Sequence, residues 1–170
     1  MSSSFPILAR EQYALVCNAR EVLLAYCDRL PPEALLTGQP EVGWGGSIRN
    51  LLVHNANAYR YWIGMQALGR SLEFIHEADV PDLSAVRDLY RDVDRMMEAF
   101  LEAYGEEGQS EVEVHRKGRT YSVDALAVFT HVITHEFHHK GQILTLGRRL
   151  GHIPVDTDIL RDTDPDQDNP

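Results

Sequence analysis

No apolar stretch in this sequence approaches the roughly 20 residues that a bilayer-spanning helix needs, so no membrane span is expected. The N-terminus, Met1-Ser2-Ser3-Ser4-Phe5-Pro6, has no basic segment followed by a long apolar one, and nothing there reads as a signal peptide. Cysteine is nearly absent, with Cys17 and Cys27 ten residues apart in one helical stretch. On a helix that spacing separates them by about 15 Å along the axis, too far for a disulfide. They are expected as packing residues in a reducing cytoplasm. Basic charge is scarce as well. With 16 Lys and Arg against 26 Asp and Glu the formal net charge is −10, and Arg116-Lys117-Gly118-Arg119 and Arg148-Arg149 are short clusters. A nucleic-acid-binding face must displace counterions from phosphates with a run of positive charge, so no nucleic-acid partner is expected.

What is present is enough for one ordinary soluble domain: 170 residues, 44% of them hydrophobic. The expected organisation is a single domain over residues 1–160 and an acidic tail over 161–170. Four helical stretches carry apolar residues at helical spacing. The first runs from about Ala9 to Leu30, with Leu15, Val16, Leu23, Leu24 and Tyr26 apolar, and stops at Pro31-Pro32. The second is capped by Ser47, carries Ile48, Leu51, Leu52, Tyr59, Trp62 and Ile63, and stops at Gly69. The third is expected to start at a Ser84 cap and to end near Gly105. Residues 110–121 alternate polar and apolar around an Arg116–Arg119 turn, which predicts a short hairpin. The fourth helix is expected from Ser122 through Leu126, Phe129, Val132, Ile133 and Ile143 to a stop at Gly151. The fold class is therefore all-α, a four-helix bundle with a short β-hairpin before the last helix.

The fourth stretch holds His131, His135, His138 and His139, half of the chain's eight histidines. Residues four apart on a helix project from one face, which fits either His131 with His135 or His135 with His139. Counting about 100° per residue puts His135 and His139 at the edge of the apolar arc, with His131 and His138 turned further towards solvent. The arc favours His135 and His139 as metal ligands facing the bundle. His54, at the flank of the apolar stripe on the second helix, is the candidate third ligand. His76, His115 and His152 fall in loops or turns and read as surface residues.

His135-Glu136-Phe137-His138-His139 also fits the H-E-x-x-H pattern of zinc proteases. Such proteases take a third ligand from H-x-x-G-x-x-H or from a distant Glu. Here the glycine follows too early, at Gly141, no Glu lies beyond Glu136, and the helix is expected near the end of the chain with little room for the rest of that fold. Glu136 itself admits three readings: a general base beside the metal, an orienter of a ligand imidazole, or an i, i+4 partner of Lys140. Gly43-Trp44-Gly45-Gly46-Ser47 lacks the lysine of a phosphate loop and reads as a turn with a helix cap. The aspartates from Asp162 to Asp168 lack the glycine and closing Glu of a calcium loop and read as a solvated tail.

Three groups of residues resemble the DinB-like (damage-inducible) family. They are Trp44 with Ser47-Ile48, Leu51-Leu52-Val53-His54 and Tyr59-Arg60-Tyr61-Trp62; His135-x-x-His138-His139-Lys140-Gly141-Gln142-Ile143; and Gly151-His152-Ile153-Pro154 with Asp158-Ile159-Leu160. Lys140 stands where arginine is common in the family. The resemblance implies an up-down-down-up four-helix bundle holding a divalent metal, zinc or nickel first, through His54, His135 and His139. Relatives are described as transferases using low-molecular-weight thiols, as a thiol-dependent isomerase, or as proteins without a known activity, and dimers are common among them. A homodimer is expected on that ground alone.

Three imidazoles leave a coordination position open, the arrangement of catalytic rather than structural zinc. The leading expectation is a metal-dependent enzyme acting on a small molecule, a thiol-S-transferase or a hydrolase. The competing expectation is a non-catalytic metal-binding or stress-response protein. A deep pocket beside the histidines favours the enzyme, and an exposed, saturated ion the alternative. The charge balance yields a first prediction: at physiological ionic strength the protein gives no salt-dependent shift of duplex or single-stranded DNA. A shift that weakens linearly with the logarithm of salt concentration would reveal a basic surface.

Overall fold

Pro31 biases Leu30 away from the helical region, and helix α1 (Phe5–Asp28) ends just before it. The same proline pair then begins a short helix, α2 (Pro32–Leu36), with Pro32 at its first position, where a missing amide hydrogen costs nothing. Helix α3 (Ile48–Tyr59) is capped as expected, with the Ser47 hydroxyl accepting the Asn50 amide at 3.1 Å. The remaining long helices are α4 (Leu83–Ala103) and α5 (Ala125–Arg149), and strands β1 (Glu111–Arg116) and β2 (Arg119–Asp124) lie between them. In this computed structural model the described residues are 5–39, 46–104 and 111–161. The expectations placed on Trp44, Gly105 and the aspartates of the tail lie outside them.

Four expectations need correction. Asp82, not Ser84, caps α4, accepting the Ala85 amide at 2.9 Å. Asp124, not Ser122, caps α5, because β2 keeps the backbone extended through Asp124. The second helical stretch is not uniformly α: from Arg60 to Ala67 it is π-helical, and Leu68 donates to the Ile63 carbonyl five residues back. Leu15 and Leu126, read as core, are 48% and 52% exposed.

The hairpin forms as expected and extends three residues further, pairing Glu111 with Asp124 and Arg116 with Arg119. Its two-residue turn, Lys117-Gly118, has positive φ at both positions, the geometry that matches strand twist. Val112 and Val114 point into the core, while β2 is largely exposed.

Helix α1 packs against α4 and α5, and α3 packs against the same two. One polar node touches all four. Arg20 of α1 is buried and donates from Nε and Nη2 to the two carboxylate oxygens of Glu136 on α5, at 2.7 and 3.0 Å. Its Nη1 reaches Asp94 of α4 at 2.7 Å, and the Tyr59 hydroxyl of α3 donates to Glu136 at 2.5 Å. Burial lowers the Arg20 pKa, but the groups around it, Glu136 first among them, together outweigh burial and hold the guanidinium charged. None of the three readings of Glu136 named this partner. Lys140 does not pair with Glu136 either; its Nζ donates to the Thr157 carbonyl at 2.6 Å and lies 4.0 Å from the centre of the Phe137 ring.

Helices α1 and α5 pack tightly at Gly147. A Cβ built there would stand 2.0 Å from the hydroxyl and 3.0 Å from Cζ of buried Tyr26, whose hydroxyl donates to the His152 carbonyl at 3.1 Å. Gly147→Ala is therefore expected to lower unfolding free energy by about 1–3 kcal/mol, the usual cost of overpacking. Urea denaturation in a Tyr26→Phe background should show a smaller penalty, since the nearest atom is gone. An undiminished penalty would place the strain elsewhere.

Candidate metal centre

Helices α3 and α5 pack against each other, and His54 of α3 meets His135 and His139 of α5. One nitrogen from each of His54, His135 and His139 lies within 4.8 Å of the others. Ring centroids are 4.4 Å apart for His135 and His139, 4.7 Å for His54 and His139, and 5.3 Å for His54 and His135. His139 is buried, and the other two are half-buried. The helix-face argument thus named the three side chains that the fold brings together.

The Nε2 atoms of His135 and His139 face each other at 3.1 Å. Two nitrogens sharing one ion at about 2.0–2.1 Å stand roughly 3.0–3.4 Å apart, so this spacing suits a pair of ligands. His139 Nδ1 is 2.7 Å from Oε1 of Gln142, while Nε2 of that amide is 3.2 Å from His138 Nε2. With Gln142 accepting, the proton of neutral His139 sits on Nδ1 and Nε2 presents its lone pair. Gln142 was visible in sequence only as part of a motif; its role follows from its being three residues beyond His139, on the same helical face.

Burial, and then the neighbouring histidines, lower the pKa of both His54 and His135 to about 4. Burial also lowers His139. The imidazoles are therefore neutral at physiological pH and available for coordination. The two histidines left aside by the arc behave differently. His138 is exposed; His131 is exposed as well, yet it stacks on His135 with ring centroids 5.7 Å apart.

Beside the cluster lies a cavity of about 660 Å³, with His54 and His135 in its wall. The π-helical turn lends it Tyr61 and Trp62, and the segment before Glu77 lends it Phe74, Ile75 and His76. Asn57 holds that segment in place by a reciprocal pair of bonds with the Ile75 backbone, at 2.8 and 2.9 Å. Arg60 adds a bond to the Glu73 carbonyl at 2.8 Å. His76, read as a surface residue, is exposed but lines the cavity and caps the short turn Glu77–Asp79. His115 lies exposed on β1, and His152 follows α5 half-buried.

A sequence model of the DinB family matches residues 1–169. The chain belongs to the DinB family. No curated protein matches it in sequence. In this DinB-family chain the three histidines close together are a group able to hold a metal ion, in keeping with the resemblance read from the sequence. No helix among the described residues is long and apolar enough to cross a membrane.

The Gln142 contact gives a prediction. Gln142→Leu removes the acceptor that fixes the His139 tautomer and should weaken zinc affinity by about ten- to a hundred-fold with the fold intact. Competition with a chromogenic chelator reads the affinity, and an unchanged value would show that Gln142 orients nothing.

Proposed function

We propose that this DinB-family protein is a metal-dependent enzyme acting on a small molecule, through a divalent ion held by His54, His135 and His139. The reaction class is a thiol-S-transfer, with a low-molecular-weight thiol as co-substrate, or a hydrolysis. The pairing of α1 and α3 with α4 and α5 supports a four-helix arrangement in which facing helices supply ligands to one ion, and the family resemblance implies its up-down-down-up order. Zinc or nickel suits three neutral imidazoles, and such a set leaves a position open for a reacting group.

The observation that carries the enzyme over the purely metal-binding reading is the cavity. It opens directly on His54 and His135, and its size lies in the range of small-molecule sites. A divalent ion at such a site supplies Lewis acidity towards a thiol or a water. The chain's own residues bind and orient: Gln142 sets one imidazole tautomer, and Asn57 holds the far wall of the cavity. Glu136 is not positioned as a free base, since Arg20 and Tyr59 occupy both of its oxygens.

Elemental analysis of the purified protein tests the ligands. About one zinc or nickel per chain is expected, with sharp loss in His54→Ala, His135→Ala and His139→Ala and none in His115→Ala. Full occupancy in His54→Ala would refute the three-histidine site. Because His54 and His135 stay neutral down to about pH 4, protons compete weakly for them. Zinc affinity should change little between about pH 7.5 and about pH 6, where imidazoles of ordinary pKa already protonate, and fall as the pH approaches 4. The loaded protein should also transfer a low-molecular-weight thiol to an electrophile, or hydrolyse a small ester or amide. Inactivity of the loaded protein across such panels would favour the metal-binding alternative.

A further inference from the structure

The cavity beside the histidines has an uneven charge pattern and flat apolar walls. Trp62 and Tyr61 meet edge to face with centroids 5.0 Å apart, and Tyr61 stacks on Phe74 at 6.1 Å with an interplanar angle of 26°. Phe74 is 59% exposed, a large apolar surface left open at the cavity wall. At the hairpin side stands Arg116, the last residue of β1, its guanidinium carbon 5.6 Å from the centre of the Trp62 ring. The ion pairs among the described residues engage Arg10, Arg20, Arg87, Arg91, Arg95 and Lys140, but not Arg116. Of the acidic residues among those described, Glu77 alone lines the cavity, on the turn after Phe74.

The two charges stand on different parts of the wall, Arg116 at the end of β1 and Glu77 on the turn after Phe74, so the wall is positive at one and negative at the other. A ligand carrying one negative charge is oriented by that difference. An arginine presents a planar fork of donors that fits a carboxylate with two parallel bonds, and stacking on Trp62 holds the fork in place.

Resting on the small-molecule reading above, we propose that the cavity is a binding site for an organic carboxylate with a flat, apolar body, its carboxylate on Arg116 and its body between the Trp62 and Phe74 walls. The site selects for charge at one end and for planarity along its length. A neutral compound of the same shape keeps the aromatic contacts and loses the bidentate pair.

Calorimetric titration of the full chain loaded with zinc tests this, using naphthoate as the probe and naphthalenemethanol as its neutral counterpart. Naphthoate should bind about ten-fold or more tightly than the alcohol, the scale of a charge-assisted hydrogen bond. Arg116→Met should remove that advantage and leave the alcohol's affinity unchanged, with Arg116→Lys intermediate. Phe74→Ala should weaken both compounds alike; both residues are exposed, so neither change threatens folding. Equal affinity for the two compounds, or naphthoate binding indifferent to Arg116→Met, overturns the proposal. Repeating the titrations after removal of zinc with a chelator separates the two readings. An Arg116 effect that persists without metal supports the carboxylate site even if the metal-dependent reaction fails. Loss of naphthoate binding on zinc removal, with no Arg116 effect, places the carboxylate on the ion and overturns the Arg116 assignment.

Discussion

Arg20 and Glu136 form the contact on which the arrangement of the helices depends. A guanidinium and a carboxylate are costly to remove from water, and their mutual attraction offsets that cost only when geometry and further hydrogen bonds are favourable. Here both conditions hold: the pair is bidentate, Tyr59 donates to the carboxylate, and Asp94 takes a third nitrogen. Tyr90 adds its ring face 4.6 Å from the guanidinium carbon. Removing one partner from such a pair costs about 3–5 kcal/mol, because the other charge stays buried alone. The node does more than stabilise. Glu136 follows His135 in sequence, so a carboxylate pinned to α1 and α3 fixes the rotation of α5 about its own axis. That rotation decides whether His135 and His139 face His54.

Legibility in the sequence follows the range of the interaction. The Ser47 cap and the Lys117-Gly118 turn are decided within a few residues, and both were readable. The histidine triad was readable because the i, i+4 rule places His135 and His139 on one face, and the apolar arc says which face is inward. The α4 and α5 caps were misplaced by two residues because serine and aspartate compete for the role nearby. At Asp82 the carboxylate stands first in the chain, and at Asp124 strand pairing delays the helix past Ser122.

Other features had no local signal. The partner of Glu136 lies 116 residues away, beyond any periodicity argument. The π-helical segment from Arg60 is another, and it packs closely at Gly64, where a Cβ would meet Leu72 and Met96. Arg116 reads in sequence as a solvated turn residue, and the cavity gives it a neighbour in Trp62. His131 and His76 likewise read as surface residues, which their exposure bears out, while the cavity they line is formed by several separate parts of the chain.

The hairpin carries one of the two charged residues of the cavity wall but none of the three histidines. It is anchored to the core by Val112 and Val114, and its backbone is tied to the π-helical turn where the His115 amide donates to Gln66 at 2.7 Å. Its exposed outer strand and two-residue turn make few demands on the helices. Lengthening the turn or exchanging Arg116 would alter what the cavity admits without repacking the residues that position the imidazoles. Under the proposed function, selectivity and reactivity would be carried by modules that can diverge at different rates, and such a scaffold could change substrates by small steps while its metal chemistry stayed constant.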